Sequence, residues 1–175
     1  MDALTHNPAN MTLSFGYGHT KLGLVLIALS SRGVAAILLG DDPPTLRREL
    51  AAAYPGTRLI EDNSVLADTV AQVVAFIETP GSGLDLPLDL RGSDLELALW
   101  KALRAIPSGE TRTYGAIAKT LAGPTTGQEV GAACAANRLA VAVPCHRVVK
   151  ADGSISGYRW GVQRKRRLIN MEGVA

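Results

Sequence analysis

The segment Val141-Ala142-Val143-Pro144-Cys145-His146-Arg147-Val148-Val149 carries the densest chemistry in the chain. An apolar run ends at a proline, and a Cys-His-Arg triplet sits where the chain must turn. His146 and Arg147 place positive potential beside Cys145, which favours the thiolate, the nucleophilic form of cysteine. The same residues are compatible with a buried, inert thiol. Cys134, inside an alanine-rich segment, reads as a thiol of that packing kind. Zinc held by Cys134, Cys145 and His146 is disfavoured, because the spacing matches no common zinc pattern and a fourth ligand is missing. No metal site is expected.

The elements that must position this triplet are short helices. Ser93-Asp94-Leu95-Glu96 has the capping-box pattern, and Leu95, Leu97, Leu99, Trp100 and Leu103 continue it as a helix up to the breaker Pro107-Ser108-Gly109. Tyr114–Leu121 and Gln128–Asn137 read as two short helices joined by a turn over residues 122–127. That pairing fits a helix-turn-helix unit, and an ordinary helical hairpin has the same pattern. Gly131, Ala132, Ala133, Ala135 and Ala136 leave the second helix poor in large side chains. Such a helix packs closely on a neighbour or presses into the groove of a duplex.

The first half has no polar constellation. Thr12–Thr20, Gly23–Ser30 and Gly33–Leu39 are Val/Ile/Leu-rich runs punctuated by glycine and predict three strands. Asp41-Asp42-Pro43-Pro44 stops the sheet and starts a helix over Thr45–Tyr54. Asn63–Glu78 predicts an amphipathic helix with Val65, Leu66, Thr69, Val70, Val73 and Ile77 on one face. After the loop Thr79–Gly83, Leu84–Leu90 resumes an extended alternation.

Composition narrows the class. The 175 residues are 47% hydrophobic and 19% charged, with two cysteines and three histidines, an ordinary globular balance rather than a disulfide scaffold. The longest apolar runs fall short of the ~20 residues of a membrane span. The amino terminus lacks the basic and apolar regions of an export signal, so a cytoplasmic location and no membrane partner are expected. The net charge of +2 hides an asymmetry: residues 1–100 hold six Lys/Arg and twelve Asp/Glu, whereas residues 101–175 hold twelve and four. The halves are therefore −6 and +8. The basic half suits a polyanion such as DNA, and equally a solvated basic face.

Several of these segments together resemble the O6-alkylguanine-DNA alkyltransferases, also called methylated-DNA–protein-cysteine methyltransferases. Pro144-Cys145-His146-Arg147-Val148 is similar to that family's active-site motif, and residues 106–118 to the start of its helix-turn-helix. Ala133-Cys134-Ala135-Ala136-Asn137 resembles the end of its recognition helix, Ser156–Gly161 its post-cysteine loop, and Leu168–Gly173 its closing helix. The likeness spans about residues 12–173 and extends to Ile37–Asp42 and Leu86–Asp89, as in the carboxy-terminal domains of bacterial adaptive-response regulators. It implies an α+β fold. A flexible terminus over residues 1–11 precedes a small α/β, ribonuclease H-like domain over 12–91. A mostly helical, winged-helix-like DNA-binding domain follows over 92–175.

The resemblance also implies roles. Cys145 would accept the alkyl group from guanine O6 irreversibly, in a single turnover without cofactor. His146 would remove the thiol proton through a bridging water, Glu172 would orient His146, and Tyr114 would give a proton toward guanine N3. Asn137 would act as a hinge, completing the catalytic set. Gln128, Gly131, Ala132, Arg147, Val148, Ser156, Tyr158, Arg159 and Trp160 would meet the DNA or the flipped base. The partner would be double-stranded DNA carrying O6-methylguanine, with O4-methylthymine a further substrate, and the protein a monomer. A lesion binder without transfer leaves Cys145 unexplained, and a plain repressor leaves Cys145, His146 and Glu172 unexplained.

Two positions depart from the family pattern. Gln128 stands where an arginine usually holds the gap left by a flipped base, and Glu129 follows it in place of a small neutral residue. Weaker DNA binding or slower flipping is expected. Trp160 stands where a small lid residue is common, which implies a narrower pocket that prefers methyl to benzyl. With no cysteine before Cys134, the chain is expected to carry the repair half of an adaptive-response protein without its sensor.

Overall fold

The three apolar runs at the start form β1 (Thr12–Thr20), β2 (Gly23–Ser30) and β3 (Gly33–Gly40), an antiparallel meander. The computed structural model describes residues 11–121 and 123–173. The terminus expected over 1–11 therefore lies outside the described residues except for Met11, as does Ala122 of the inter-helix turn. Leu13 and Phe15 of β1, Val25–Ala28 of β2 and Ala36–Leu38 of β3 are all fully buried or nearly so. Consecutive rather than alternating burial shows that both faces of the central strands are covered.

The chain then enters α1 (Pro43–Ala53), as the proline pair after an acidic residue predicts. Asp42 caps it by accepting from Thr45 N at 3.0 Å. A four-residue strand that the sequence pattern does not reveal, β4 (Arg58–Glu61), pairs parallel to β1 and completes the order β3-β2-β1-β4. Next comes α2 (Asn63–Glu78), which lies on β1. Gly18 explains how closely it lies, since a Cβ there would sit 2.7 Å from Val70 Cγ1. The buried stripe of α2 is Leu66, Val73 and Ile77, whereas Val65, placed on that face by spacing, is 63% exposed. One hundred degrees per residue rotates position 65 away from the stripe once the register is fixed by Leu66.

The extended pattern over Leu84–Leu90 yields a single bridge rather than a strand. Val34 N donates to Pro87 O and Asp89 N to Val34 O, and the ladder stops there. Pro87 has no N–H with which to propagate it.

The chain folds as two compact units. One contains the residues up to Glu78 together with Leu84–Asp89, and the other contains Thr79–Gly83 together with Leu90 onward. The second unit opens with α3 (Asp94–Arg104), whose capping box is formed: Glu96 N donates to Ser93 Oγ at 3.1 Å and Ser93 N to Glu96 Oε1 at 2.9 Å. α3 buries Leu99, Trp100 and Leu103. The helices α4 (Tyr114–Lys119) and α5 (Gly127–Ala136) follow, and α6 (Val162–Met171) closes the unit. Two short strands that local pattern does not reveal, β5 (Arg112–Thr113) and β6 (Val148–Val149), pair in parallel.

The small residues of α5 serve two faces differently. On one face Ala133 is buried, and the Trp100 indole N–H donates to its backbone carbonyl at 2.9 Å, tying α5 to α3. At Gly127 a Cβ would lie 3.4 Å from Tyr114 Cβ, an ordinary contact with the first turn of α4. Gly131, on another face, meets only the Tyr114 ring at 3.9 Å, so helix packing does not require a glycine there.

Glu129 has a structural task at the start of α5. Thr126 caps the helix and Glu129 completes the box, with Thr126 N donating to Glu129 Oε1 at 3.0 Å and Glu129 N to Thr126 Oγ1 at 3.2 Å. Thr126→Ala should cost about 1 kcal/mol of unfolding free energy, read by urea denaturation. Glu129→Gln should retain most of the stability that Glu129→Ala loses, because an amide oxygen can accept the same bond. Equal losses for the two variants would show that the reciprocal bond contributes nothing.

Candidate active site

The route from α5 to Cys145 is a series of tight backbone turns. The helix ends at Asn137, whose backbone (φ −63, ψ 128) leaves the helical region. Val141 adopts φ 68, and Ala142 N reaches back to Ala140 O at 2.7 Å, a γ-turn of the rare strained hand. Pro144 (φ −82, ψ 59) centres an inverse γ-turn closed by Cys145 N to Val143 O at 2.8 Å. A 3-10 turn over Cys145–Arg147 then leads into β6. Holding a β-branched residue in the left-handed region costs on the order of 1–3 kcal/mol, so surrounding contacts must impose it.

Asn137 supplies those contacts. It is 1% exposed, and its amide nitrogen donates to Val143 O at 3.0 Å, to Leu139 O at 3.4 Å and to Cys145 Sγ at 3.4 Å. Its oxygen accepts from Leu139 N at 2.9 Å. The Asn137 backbone N–H thus caps the helix, bonding to Cys134 O, while its side chain ties down the turns and touches the sulfur.

Cys145 lies in the wall of a cavity of about 370 Å³, lined also by Tyr114, Gly131, Cys134, Ala135, Gly157, Tyr158 and Arg159. The hydrogen bond from the Cys134 thiol lowers the Cys145 pKa, burial opposes it, and Asn137 and the Lys165 charge add to the lowering. Cys134 is pushed in the opposite direction, by that same bond and by burial. Cys134 is thus held protonated, as a packing thiol would be, but it also lines the cavity beside Cys145. Gly131, Cys134 and Asn137 are spaced one turn apart and share the face of α5 that meets the cavity and Cys145.

Behind the cysteine is a buried charged group. His146 Nε2 is 2.6 Å from Glu172 Oε1, and Arg147 donates to both oxygens of that carboxylate, each at 2.9 Å. Gly109 N adds a longer bond of 3.4 Å. Arg147 is held by a further bond of 2.7 Å to Ile106 O. Burial drives Glu172 upward, but the hydrogen bonds from His146 and Arg147 outweigh it and hold the carboxyl at about 2. Burial lowers His146 below its ordinary value despite the Glu172 bond, so the ring is neutral at pH 7. Its Nδ1 is buried with no protein partner. Facing Glu172 with Nε2–H leaves Nδ1 as the basic atom.

On the opposite wall, the Tyr114 hydroxyl makes a short hydrogen bond with Ser156 Oγ, and Lys165 Nζ donates to Ser156 Oγ at 2.9 Å and to Gly157 O at 3.3 Å. Lys165 is 1% exposed, and burial lowers its pKa against the attraction of the two sulfurs. Within the run Arg164-Lys165-Arg166-Arg167 it looks like one more surface cation; only the phase of α6, with Lys165, Leu168 and Ile169 buried together, marks it as internal.

The remaining expected residues divide clearly. Gly131, Tyr158 and Arg159 line the cavity. The Tyr158 hydroxyl is buried without a protein partner. Arg159 donates to Asn137 O at 2.7 Å and Ala135 O at 3.4 Å, satisfying carbonyls at the end of α5. Trp160 is 3% exposed and does not line the cavity; it braces Tyr158 edge-on at 5.3 Å. Val148 is fully buried in β6. Gln128 and Ala132 are exposed on α5 away from the cavity lining.

A held cysteine beside a neutral histidine with one free ring nitrogen, and a phenol across the cavity, define a cysteine-centred group-transfer site. Residues 94–174 match the family model for the 6-O-methylguanine DNA methyltransferase DNA-binding domain. The chain is 39% identical over 138 residues to a methylated-DNA–protein-cysteine methyltransferase of Mycolicibacterium paratuberculosis, covering 77% of this chain and 84% of that protein. It therefore belongs to the methylated-DNA–protein-cysteine methyltransferase family. It is also 42% identical over 167 residues to the bifunctional transcriptional activator/DNA repair enzyme Ada of Escherichia coli K12, covering 95% of this chain and 47% of Ada. The chain spans about half the length of the Ada proteins it matches. The crystal structure of Mycobacterium tuberculosis OGT in complex with DNA superposes with a TM-score of 0.77 at 31% identity, covering 91% of this chain and 92% of that one. The mixed α+β architecture is thus that of the OGT structures.

The two buried ionisable groups set an acid limit. His146 binds its proton less readily when folded, so stability falls as pH drops below about 6.5, where the unfolded chain becomes protonated. Glu172 has a depressed pKa, so its contribution is present above about 4.5 and is lost as pH falls toward 2. His146→Gln should flatten the dependence of Tm on pH between about 6.5 and 5. An unchanged slope in that window would show that the folded histidine is not held neutral.

Proposed function

We propose that this protein repairs DNA by direct reversal, moving a methyl group irreversibly from O6-methylguanine in a duplex to Cys145. The observation that carries the reading is a single one: a sulfur gripped by Asn137 in the wall of a base-sized cavity, with its own general-base pair behind it. An alkyl carbon inside a stacked duplex is out of reach of a protein thiolate, so the nucleotide must be turned out into the cavity.

The reaction then balances on this chain's own groups. The Cys145 proton passes through a water to His146 Nδ1, and Glu172 stabilises the imidazolium that forms. The thiolate attacks the methyl carbon, an S–C bond forms, and the C–O6 bond breaks with its electron pair going to the guanine. Tyr114 gives its proton toward N3, and the Ser156–Lys165 chain resupplies the phenol. A thioether is a poor leaving group, so each molecule acts once. The transfer as written consumes no cofactor.

Other assignments belong to the same proposal. Residues 92–175 form the DNA-binding domain, with α4 and α5 as a helix-turn-helix in a winged-helix-like setting and α5 entering the minor groove. Residues 12–91 form a ribonuclease H-like companion domain, a reading supported by the meander with a fourth strand parallel to β1. The protein acts as a monomer in the cytoplasm. O4-methylthymine is a second substrate. No helix among the described residues is long and apolar enough to cross a membrane.

Intact-mass analysis after incubation with an O6-methylguanine oligonucleotide should show one added methyl, about 14 Da, mapped to Cys145 and absent in Cys145→Ala. Tight lesion binding without a mass change would favour a non-catalytic damage binder. Gln128→Arg should raise the repair rate on duplex by roughly 3- to 10-fold, the worth of one charge-assisted contact, and leave the reaction with free O6-methylguanine unchanged. A variant that changes neither rate would remove Gln128 from the DNA-contacting set.

A further inference from the structure

Cys134 takes no part in the transfer just described, yet it and the acceptor cysteine shift one another's pKa, Cys134 upward and Cys145 downward. Both cysteines line the same cavity, and both are free. Asn137, one turn further along α5, already reaches Cys145 Sγ at 3.4 Å, so the face carrying Cys134 is held against that sulfur. The chain has two cysteines in all, so an internal disulfide has a single pairing.

We propose that Cys134 is a resolving cysteine, and that peroxide converts Cys134 and Cys145 into a reversible disulfide that protects the alkyl acceptor from irreversible oxidation. In the first step the Cys145 thiolate attacks one oxygen of hydrogen peroxide. An S–O bond forms, the O–O bond breaks, and the departing hydroxide takes up a proton as water. Cys145 is then a sulfenic acid, oxidised by two electrons. In the second step the Cys134 sulfur attacks Cys145 Sγ, forming the S–S bond and breaking the S–O bond. The hydroxide leaves with the Cys134 proton as a second water. Two thiols and one peroxide give one disulfide and two waters.

The local structure suits these roles. Cys145 is the sulfur whose thiolate is favoured, by the Cys134 bond, Asn137 and the Lys165 charge, which makes it the one that meets peroxide first. Cys134 stays protonated until a sulfenic acid appears beside it. Gly131, one turn before Cys134, has only the Tyr114 ring near the place of its missing Cβ, at 3.9 Å, which leaves the cavity face of α5 uncrowded. The advantage follows from single-turnover use: an acceptor lost to sulfinic acid is a repair event lost, whereas a disulfide is recovered by a thiol reductant.

The test uses the full chain and hydrogen peroxide. A few equivalents should lower the intact mass by about 2 Da, with peptide mapping joining residues 134 and 145, and dithiothreitol should restore the original mass. After peroxide and then dithiothreitol, the wild type should recover most of its methyl-accepting capacity, whereas Cys134→Ser should lose most of it and gain about 32 Da on Cys145. A wild type that gains about 32 Da without passing through the disulfide, or a Cys134→Ser protein that recovers equally well, would overturn the proposal. The wild-type mass readout needs neither the variant nor DNA. A 2 Da loss in a protein that accepts no methyl would leave the disulfide standing and refute the repair reading alone.

Discussion

The side-chain amide of Asn137 is buried where the last turn of α5 meets the chain that delivers Cys145, and four polar contacts converge on it. A buried amide left without partners costs more than one hydrogen bond contributes, so the folded state must satisfy it. The turns at Val141 and Pro144 depend on these contacts. A valine at φ 68 would relax to an extended backbone if the Val143 carbonyl were not pinned by the amide and the flanking Val143 side chain were not fully buried. The position of the Cys145 sulfur and the end of α5 are therefore one structural fact. A shift of α5 must move the sulfur.

Behind the sulfur, the arrangement solves an electrostatic problem. A neutral histidine is useful as a base only if the imidazolium it becomes is stabilised without protonating its partner. In the proposed relay Glu172 meets that condition because Arg147 occupies both of its oxygens and helps to hold its carboxyl at about 2. The arginine of the Cys-His-Arg triplet is thus spent on the carboxylate rather than on a phosphate. Its other bond, to the Ile106 carbonyl, ties the pair to the segment following α3. Removing Arg147 would leave a buried carboxylate with a neutral ring and the longer Gly109 N–H bond, the costly half of a broken ion pair.

Much of this is legible in the sequence. The three strands, the amphipathic helix Asn63–Glu78 and the capping box at Ser93 follow from local patterns whose physics is local: glycine breaks, Ser followed three residues later by Glu, and apolar spacing. The Cys145, His146, Glu172 and Tyr114 set is readable only through family likeness, because no local rule links position 146 to position 172. β4, β5 and β6 escape notice because strands of two to four residues owe their pairing to the partner they meet, not to their own composition. Val65 is misplaced by a shift of one position, to which a helical stripe is sensitive. Trp160 belongs to the pocket by its place in a motif, whereas its ring turns inward to brace Tyr158.

Lys165 and Cys134 are hidden for a shared reason. Each sits in a segment whose composition has a simple explanation, a basic run and an alanine-rich helix, and the exception is visible only when the helix phase is known. Burying an ammonium is unfavourable unless hydrogen bonds and negative charge compensate it. Here Ser156 and the Gly157 carbonyl accept from Lys165, and the two sulfurs supply the negative potential once one of them ionises. The charge of the lysine and the ionisation of the cysteine are therefore mutually dependent. Each favours the other, and alkylation of Cys145 removes the anion that this pairing needs. In the proposed transfer, formation of the thioether would leave Ser156 and the Gly157 carbonyl as the groups that compensate the burial of Lys165.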